Sequence, residues 1–207
     1  GVSLRGTAGR GGIPFDALLT RAQWLGVLSN LRYPRLRVLE TTDFHGAILG
    51  GQRERRTNRP IGSSPAVAAA IEHYRSQNPA GTVLIDGGDL FQGTMISNLQ
   101  FGRPVVEQMN FLGYAAAAIG NHEFDWTADT LKSRVLNMQF AALGANMLER
   151  KTNKRPWWVR SDTTVTRRGV KVGIFGLAYP GTPRVTMPVI QFRYCTGSGL
   201  SRPCSLR

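Results

Sequence analysis

Apolar positions along this chain come in short runs separated by polar stretches rich in Gly and Pro, and the pattern changes period several times. Leu36 to Thr42, set off by Pro34, reads as a first strand. Thr82 to Ile85 reads as a short buried strand, and Tyr114 to Ile119 and Phe140 to Ala145 read as two more. Between them the period lengthens. Ser64-Pro65 opens an Ala-rich helix running to about Gln77, with Ser64 as its cap and Pro65 in its first turn; Pro79-Ala80-Gly81 stops it. Pro104 to Leu112 predicts a second helix ended by Gly113, and Asp125 to Met138 a third. Trp157 to Thr166 and Val170 to Leu177 predict a hairpin closed at Arg167-Arg168-Gly169.

The two ends carry less pattern. Gly1 to Ile13 is Gly- and Arg-rich and is expected to be a disordered tail. Asp16 to Leu31 fits a helix, with Asp16 as cap and Leu18, Ala22, Leu25 and Leu28 near one face. Gly46 to Ser64 is expected to be a polar loop. Residues 191–207 hold both cysteines and no acidic residue, show no periodicity, and are expected to be an irregular tail, with a shifted reading frame as one source. The organisation expected is therefore a tail with a short helix over 1–34, a domain over 35–190 and an irregular tail over 191–207. Strands alternating with helices predict an α/β domain with parallel pairing, whose ligands gather at the carboxyl ends of the strands.

Composition narrows this picture. A chain of 207 residues with 42% apolar residues can bury a core without disulfides. Cys195 and Cys204 could pair, but their spacing matches no metal motif. The formal charge is +13; Lys132, Lys151, Lys154 and Lys171 are the only lysines, and arginine supplies the rest. The arginines are scattered apart from Arg53, Arg55, Arg56 and Arg59, and no aromatic residues interleave with that cluster as in a single-strand binding platform, so nucleic acid is not the expected partner. The smooth apolar run from Val170 to Pro180 is far too short for a bilayer. The chain starts at Gly1, and no intact signal peptide is recognised.

The chemistry sits where the predicted strands end. Asp43-Phe44-His45 follows the first, Gly88-Asp89 the second, and Gly120-Asn121-His122-Glu123-Phe124-Asp125 the third. Cleaving a phosphate ester calls for an activated water and for neutralised phosphoryl charge, and two metals ~3.5–4 Å apart supply both. Asp89, on a Gly-Gly turn that permits close backbone approach, is the candidate bridging ligand. Asp43 and His45, one residue apart on an extended strand end, would point to one side and share a metal. Asn121 offers a neutral carbonyl oxygen to a second metal, and it is also a candidate for the substrate phosphate. His122, its neighbour, would face the phosphate, with Asp125 orienting the imidazole. Each piece has a plainer reading: Asp-x-His pairs arise by chance, Gly-Asp is commonly a turn, His122 alone fits a core histidine, and Asp125 alone fits a helix cap. Their conjunction, in order, at three strand ends favours one site. His73, mid-helix, reads as a partly exposed helix residue, and Trp157-Trp158 as packing.

From about Arg37 to about Pro183 the sequence resembles the metallophosphoesterase superfamily, and within it the 5′-nucleotidase group. Asn121-His122-Glu123-Phe124-Asp125 is the most specific piece, supported by Asp89-Leu90-Phe91-Gln92-Gly93-Thr94 and by Ile61-Gly62 before the Ala-rich helix. The resemblance implies a four-layer α-β-β-α sandwich, incomplete at its C-terminus, around two divalent ions (Zn, Mn, Mg or Ca). It places Asp43 and His45 on the first ion, Asp89 between the two, Asn121 on the second, and His122 with Asp125 as the catalytic pair. The expected reaction is hydrolysis of nucleoside 5′-monophosphates, with cyclic nucleotides, nucleotide sugars or thiosulfate-type substrates as alternatives on the same fold, and a non-catalytic polyanion-binding fragment as the alternative of another class. The family pattern also uses later histidines, whereas this chain has only His45, His73 and His122, so weak activity is expected of it. The resemblance further implies a periplasmic or secreted setting.

Overall fold

The computed structural model describes residues 34–50, 52–186 and 192–195. The expected helix over Asp16 to Leu31, the N-terminal tail and Cys204 lie outside the described residues. Strand β1 (Arg37–Thr41) leads through a loop to β2 (Gln52–Arg53) and β3 (Pro60–Ile61), then to helix α1 (Ser64–Ser76) and β4 (Thr82–Asp86). Helices α2 (Met95–Asn98) and α3 (Arg103–Leu112) follow, then β5 (Ala116–Ala118), α4 (Ala128–Leu136), β6 (Ala141–Leu143) and β7 (Met147–Glu149). The hairpin β8 (Asp162–Arg167) and β9 (Val170–Phe175) precedes α5 (Thr182–Val185) and β10 (Phe192–Tyr194).

Strands β1, β4, β5 and β6 form one parallel sheet in the order β1-β4-β5-β6. The α/β expectation therefore holds. Residues Ile85, Ala116 and Ala141 are paired in register, so they share a face; that face packs with Leu143 against Ile174 of the hairpin. Leu84, Ala117 and Ala142 face the other way, into the core built with the helices. There α3 buries Val105, Val106, Met109 and Leu112, each contributing about 1.5–3 kcal/mol of apolar burial. Strand β5 is all alanine, which has little intrinsic strand preference. Its central place between β4 and β6 decides its state.

Local chemistry sets the boundaries. Helix α3 ends at Gly113, whose φ of 72° lets its N–H return to the carbonyls of Asn110 and Met109. The hairpin closes with Arg168 and Gly169 at φ 50° and 78°, the two left-handed positions of a tight primed turn. Several expectations need correction. Helix α1 has Ser63, not Ser64, at its cap, and the Ser64 hydroxyl instead donates to Gln108 Oε1. The stretch from Gly46 to Ser64 is not all loop, because β2 and β3 pair antiparallel within it. Helix α4 starts at Ala128 under a Thr127 cap whose hydroxyl accepts from Thr130 N, so Asp125 is not the cap. The irregular tail expected over 191–207 does not hold at Phe192–Tyr194. That segment pairs with β7 as β10, because Phe192 and Tyr194 alternate onto one buried face, Phe192 packing against Phe124 and Trp158.

Candidate active site at the strand ends

The loops after β1 and β4 are stitched by main-chain bonds before any side chain is considered. Asp43 N donates to Gly88 O, His45 N to Asp89 O, and Gly46 N to Leu90 O, at 3.0, 3.0 and 2.8 Å. Asp43, His45 and Asp89 all take positive φ, at 52°, 49° and 59°. The extended strand end expected to put Asp43 and His45 on one side is therefore not what does so. Two left-handed residues turn the chain, and His45 Nε2 comes to 3.9 Å from Asp43 Oδ1. Asp and His are among the side chains that tolerate this region best. Gly88, at φ 106°, has no room for a Cβ, which would stand 2.9 Å from Gly120 N. At Gly120 a Cβ would collide with Asp89 Oδ1. Two glycines therefore let the β4 and β5 loops touch.

One ring nitrogen of each histidine is already committed. His45 Nδ1 lies 2.8 Å from the Gln92 carbonyl oxygen. A carbonyl only accepts, so Nδ1 carries a proton, and Nε2 is the ring nitrogen left to ligate a metal. His122 Nδ1 lies 2.6 Å from Asp125 Oδ2, which leaves its Nε2 for the site. The two rings meet edge to face with centroids 4.8 Å apart. Donor atoms of His45, Asp89 and His122 lie within 4.8 Å of one another. Asp43 adjoins His45 in this cluster, and Asn121 occupies the turn between Gly120 and His122, φ −80°. The structure thus brings Asp43, His45, Asp89, His122 and Asp125 together, and it puts the backbone of Asn121 beside them.

Nitrogen and carboxylate oxygen donors of this kind suit a divalent first-row ion. Burial lowers the His122 pKa, but the hydrogen bond it donates to Asp125 and the charges of Asp125, Asp89 and Glu123 outweigh it, and the net shift is upward. Asp86 closes β4 just before the site. Burial lifts its carboxyl to about 6, against hydrogen bonds from Thr41 Oγ1 and Gly88 N.

One residue escaped the sequence reading. Glu123, 2% exposed, accepts from Asp89 N at 3.0 Å, Leu90 N at 2.6 Å and Gly120 N at 2.7 Å. Burial pushes its carboxyl up to about 7 despite those three donors. An acid between a histidine and a phenylalanine reads as solvent-facing, and only the 3-10 turn over His122–Phe124 rotates it inward. The Arg cluster at Arg53, Arg55, Arg56 and Arg59 is exposed on and beside β2 and β3, and His73 is exposed on α1.

Comparison with known proteins agrees with this geometry. Protein UshA of Salmonella pullorum is 30% identical over 166 residues, covering 77% of this chain and 29% of that protein. A 2′,3′-cyclic-nucleotide 2′-phosphodiesterase/3′-nucleotidase of Yersinia enterocolitica is 31% identical over 160 residues, covering 70% of this chain and 24% of its own length. The 5′-nucleotidase precursor of Thermus thermophilus superposes with a TM-score of 0.69 at 26% identity, over 78% of this chain and 32% of that one. The chain thus spans under a third of the length of the curated relatives it matches. The model of the calcineurin-like phosphoesterase family matches residues 36–171, a span that takes in all three strand-end motifs, and the chain belongs to that family.

Proposed function

We propose that this chain is the N-terminal, metal-holding part of a two-metal phosphohydrolase acting on nucleoside 5′-monophosphates. The observation that carries the reading is the convergence of His45, Asp89 and His122 within 4.8 Å at the carboxyl ends of parallel strands. Asp43 and His45 would hold one divalent ion, Asn121 another, and Asp89 would lie between them. Bound there, such ions supply Lewis-acid neutralisation of the phosphoryl oxygens and a water acidic enough to attack. Asp125 fixes the imidazole of His122 through Nδ1 and favours its protonated form. Nε2 of His122 then donates to a phosphoryl or leaving oxygen and stabilises the charge that develops on it. Asn121 contributes a neutral amide toward the same phosphate.

The nucleotide substrate rests on the names of the relatives, among them a 5′-nucleotidase of Vibrio vulnificus at 30% identity. Cyclic nucleotides form the second reading, favoured by the 31% identical relative named for that activity. The periplasmic or secreted setting rests on the resemblance alone; no helix among the described residues is long and apolar enough to cross a membrane. Phosphate release from AMP and ring opening of 2′,3′-cyclic AMP to the nucleoside monophosphate, both measured with added Mn²⁺, test the reading. Slow release from AMP that EDTA abolishes and Asp89→Asn removes is expected. Release indifferent to both treatments would overturn it.

A further inference from the structure

Glu123 is a fully enclosed carboxylate that takes no part in the reaction proposed for the site. Its Oε1 takes the Leu90 amide, and its Oε2 takes the amides of Asp89 and Gly120. It reaches from the turn after β5 to the loop after β4, residues that are far apart in sequence. Asp89 answers in kind, because its Oδ1 accepts from His122 N at 2.9 Å. Each loop therefore places a carboxylate on the other's backbone, and between them the two carboxylates take amides on both sides of the gap. Gly88 and Gly120 remove the Cβ atoms that would hold the loops apart. Hydrogen bonds to an ionised acceptor are shorter and stronger than neutral ones, and buried ones tolerate little misalignment.

We propose that Glu123 is a positioning residue: it clamps the β4 loop to the β5 turn and thereby sets the placement of Asp89 relative to His122. The inference rests on the reading of Asp89 and His122 as site residues, and it assigns Glu123 no contact with substrate or ion. The clamp acts indirectly at one amide. His122 N bonds to Asp89, not to Glu123. If Glu123 merely fills space, disturbing it exposes its own three amide partners and leaves His122 N alone. If it positions Asp89, the His122 amide opens as well.

Glu123→Gln tests this with almost no change in volume. Glutamine has one acceptor oxygen and one NH₂, so in either orientation at least one of the three amides meets a donor. Amide hydrogen exchange of the 207-residue chain, followed by NMR, should quicken about 10- to 100-fold at Asp89, Leu90, Gly120 and also His122, the scale of losing a charged hydrogen bond or two. Mn²⁺ affinity should weaken about 10- to 100-fold, as for other residues that orient ligands. Asn146→Ala is the control. Asn146 is buried and its side chain bonds to Ala178 N and O and to Cys195 O, not to the β4 loop or the β5 turn, so its loss should lower stability without changing His122 exchange or Mn²⁺ affinity. Unchanged His122 exchange in Glu123→Gln overturns the proposal. Should that variant not fold, native-state exchange of the wild-type chain in low denaturant decides instead. The four amides should then share one opening free energy, and independent opening of His122 overturns the proposal. Coupled amides in a chain that binds no Mn²⁺ would keep the clamp and reject the metal reading.

Discussion

His122 stands between two roles that its surroundings separate by atom. Nδ1 is taken by Asp125 at 2.6 Å, so any further work falls to Nε2. If Nε2 serves the phosphate, His122→Ala should cut turnover about 10²- to 10⁴-fold while bound metal stays near the wild-type level. If it ligates an ion, metal and activity should fall together, as in Asp89→Ala. Both quantities measured on the same preparation separate the roles, and metal loss equal to that of Asp89→Ala would refute the first. Asp125→Asn should cost less, since an amide oxygen still accepts from Nδ1–H and only the charge is lost. Gly120→Ala makes a complementary residue-scale prediction. The added methyl collides with Asp89 Oδ1, so Mn²⁺ binding should drop sharply with the fold retained by circular dichroism. Wild-type affinity in this variant would show that Asp89 can move without consequence.

Elements carry the effects that reach stability. Strand β4 ends on Asp86, whose folded pKa of about 6 exceeds its usual 3.8. Folding therefore favours its protonated form, and stability should fall as pH rises from about 4 to 6 and stay level above that. The shift corresponds to about 3 kcal/mol. Urea unfolding at pH 4 and pH 7 should show that drop in the wild type and a smaller one in Asp86→Asn; identical pH dependence in the two would contradict it. In the hairpin, Gly169 has open space around it but φ 78°, so Gly169→Ala should cost about 1–2 kcal/mol through backbone strain alone. Most of these elements were legible because Pro and Gly punctuate them: Pro65, Gly113 and Gly169 each stand where the sequence placed them. What escaped was short or turned by context. Strands β2 and β3 have two residues each and β10 three, too few to show a period. Asp125 looked like a helix cap because an acid before a helix commonly is one; the nearby imidazole outcompeted the helix for its carboxylate. Of the site, the ligand types were legible, while the clamp at Glu123 depends on a loop contact between residues far apart in sequence.

At the scale of the molecule, charge and site run in opposite directions. The chain carries +13, yet Asp43, Asp86, Asp89, Glu123 and Asp125 gather at one end of the sheet, which makes that end a local attractor for cations. The donors proposed there among the described residues, Asp43, His45, Asp89, Asn121 and His122, are fewer than two ions taking about six ligands each demand. The 207-residue chain should therefore bind Mn²⁺ weakly and hydrolyse AMP slowly; robust turnover in a phosphate-release assay, with stoichiometric metal, would show that those donors suffice. The lacing of the loops through backbone amides and carbonyls has a consequence for how such a site could be rewritten. Its scaffold is indifferent to side-chain identity, because every residue but proline brings the same N–H. The left-handed backbone at positions 43, 45 and 89 is not indifferent: it admits Asp, Asn, His and Gly readily and resists branched side chains. The permitted alphabet is thus already rich in ligands, so a randomised library at these positions would be filtered by conformation toward metal-binding variants before any selection for activity was applied.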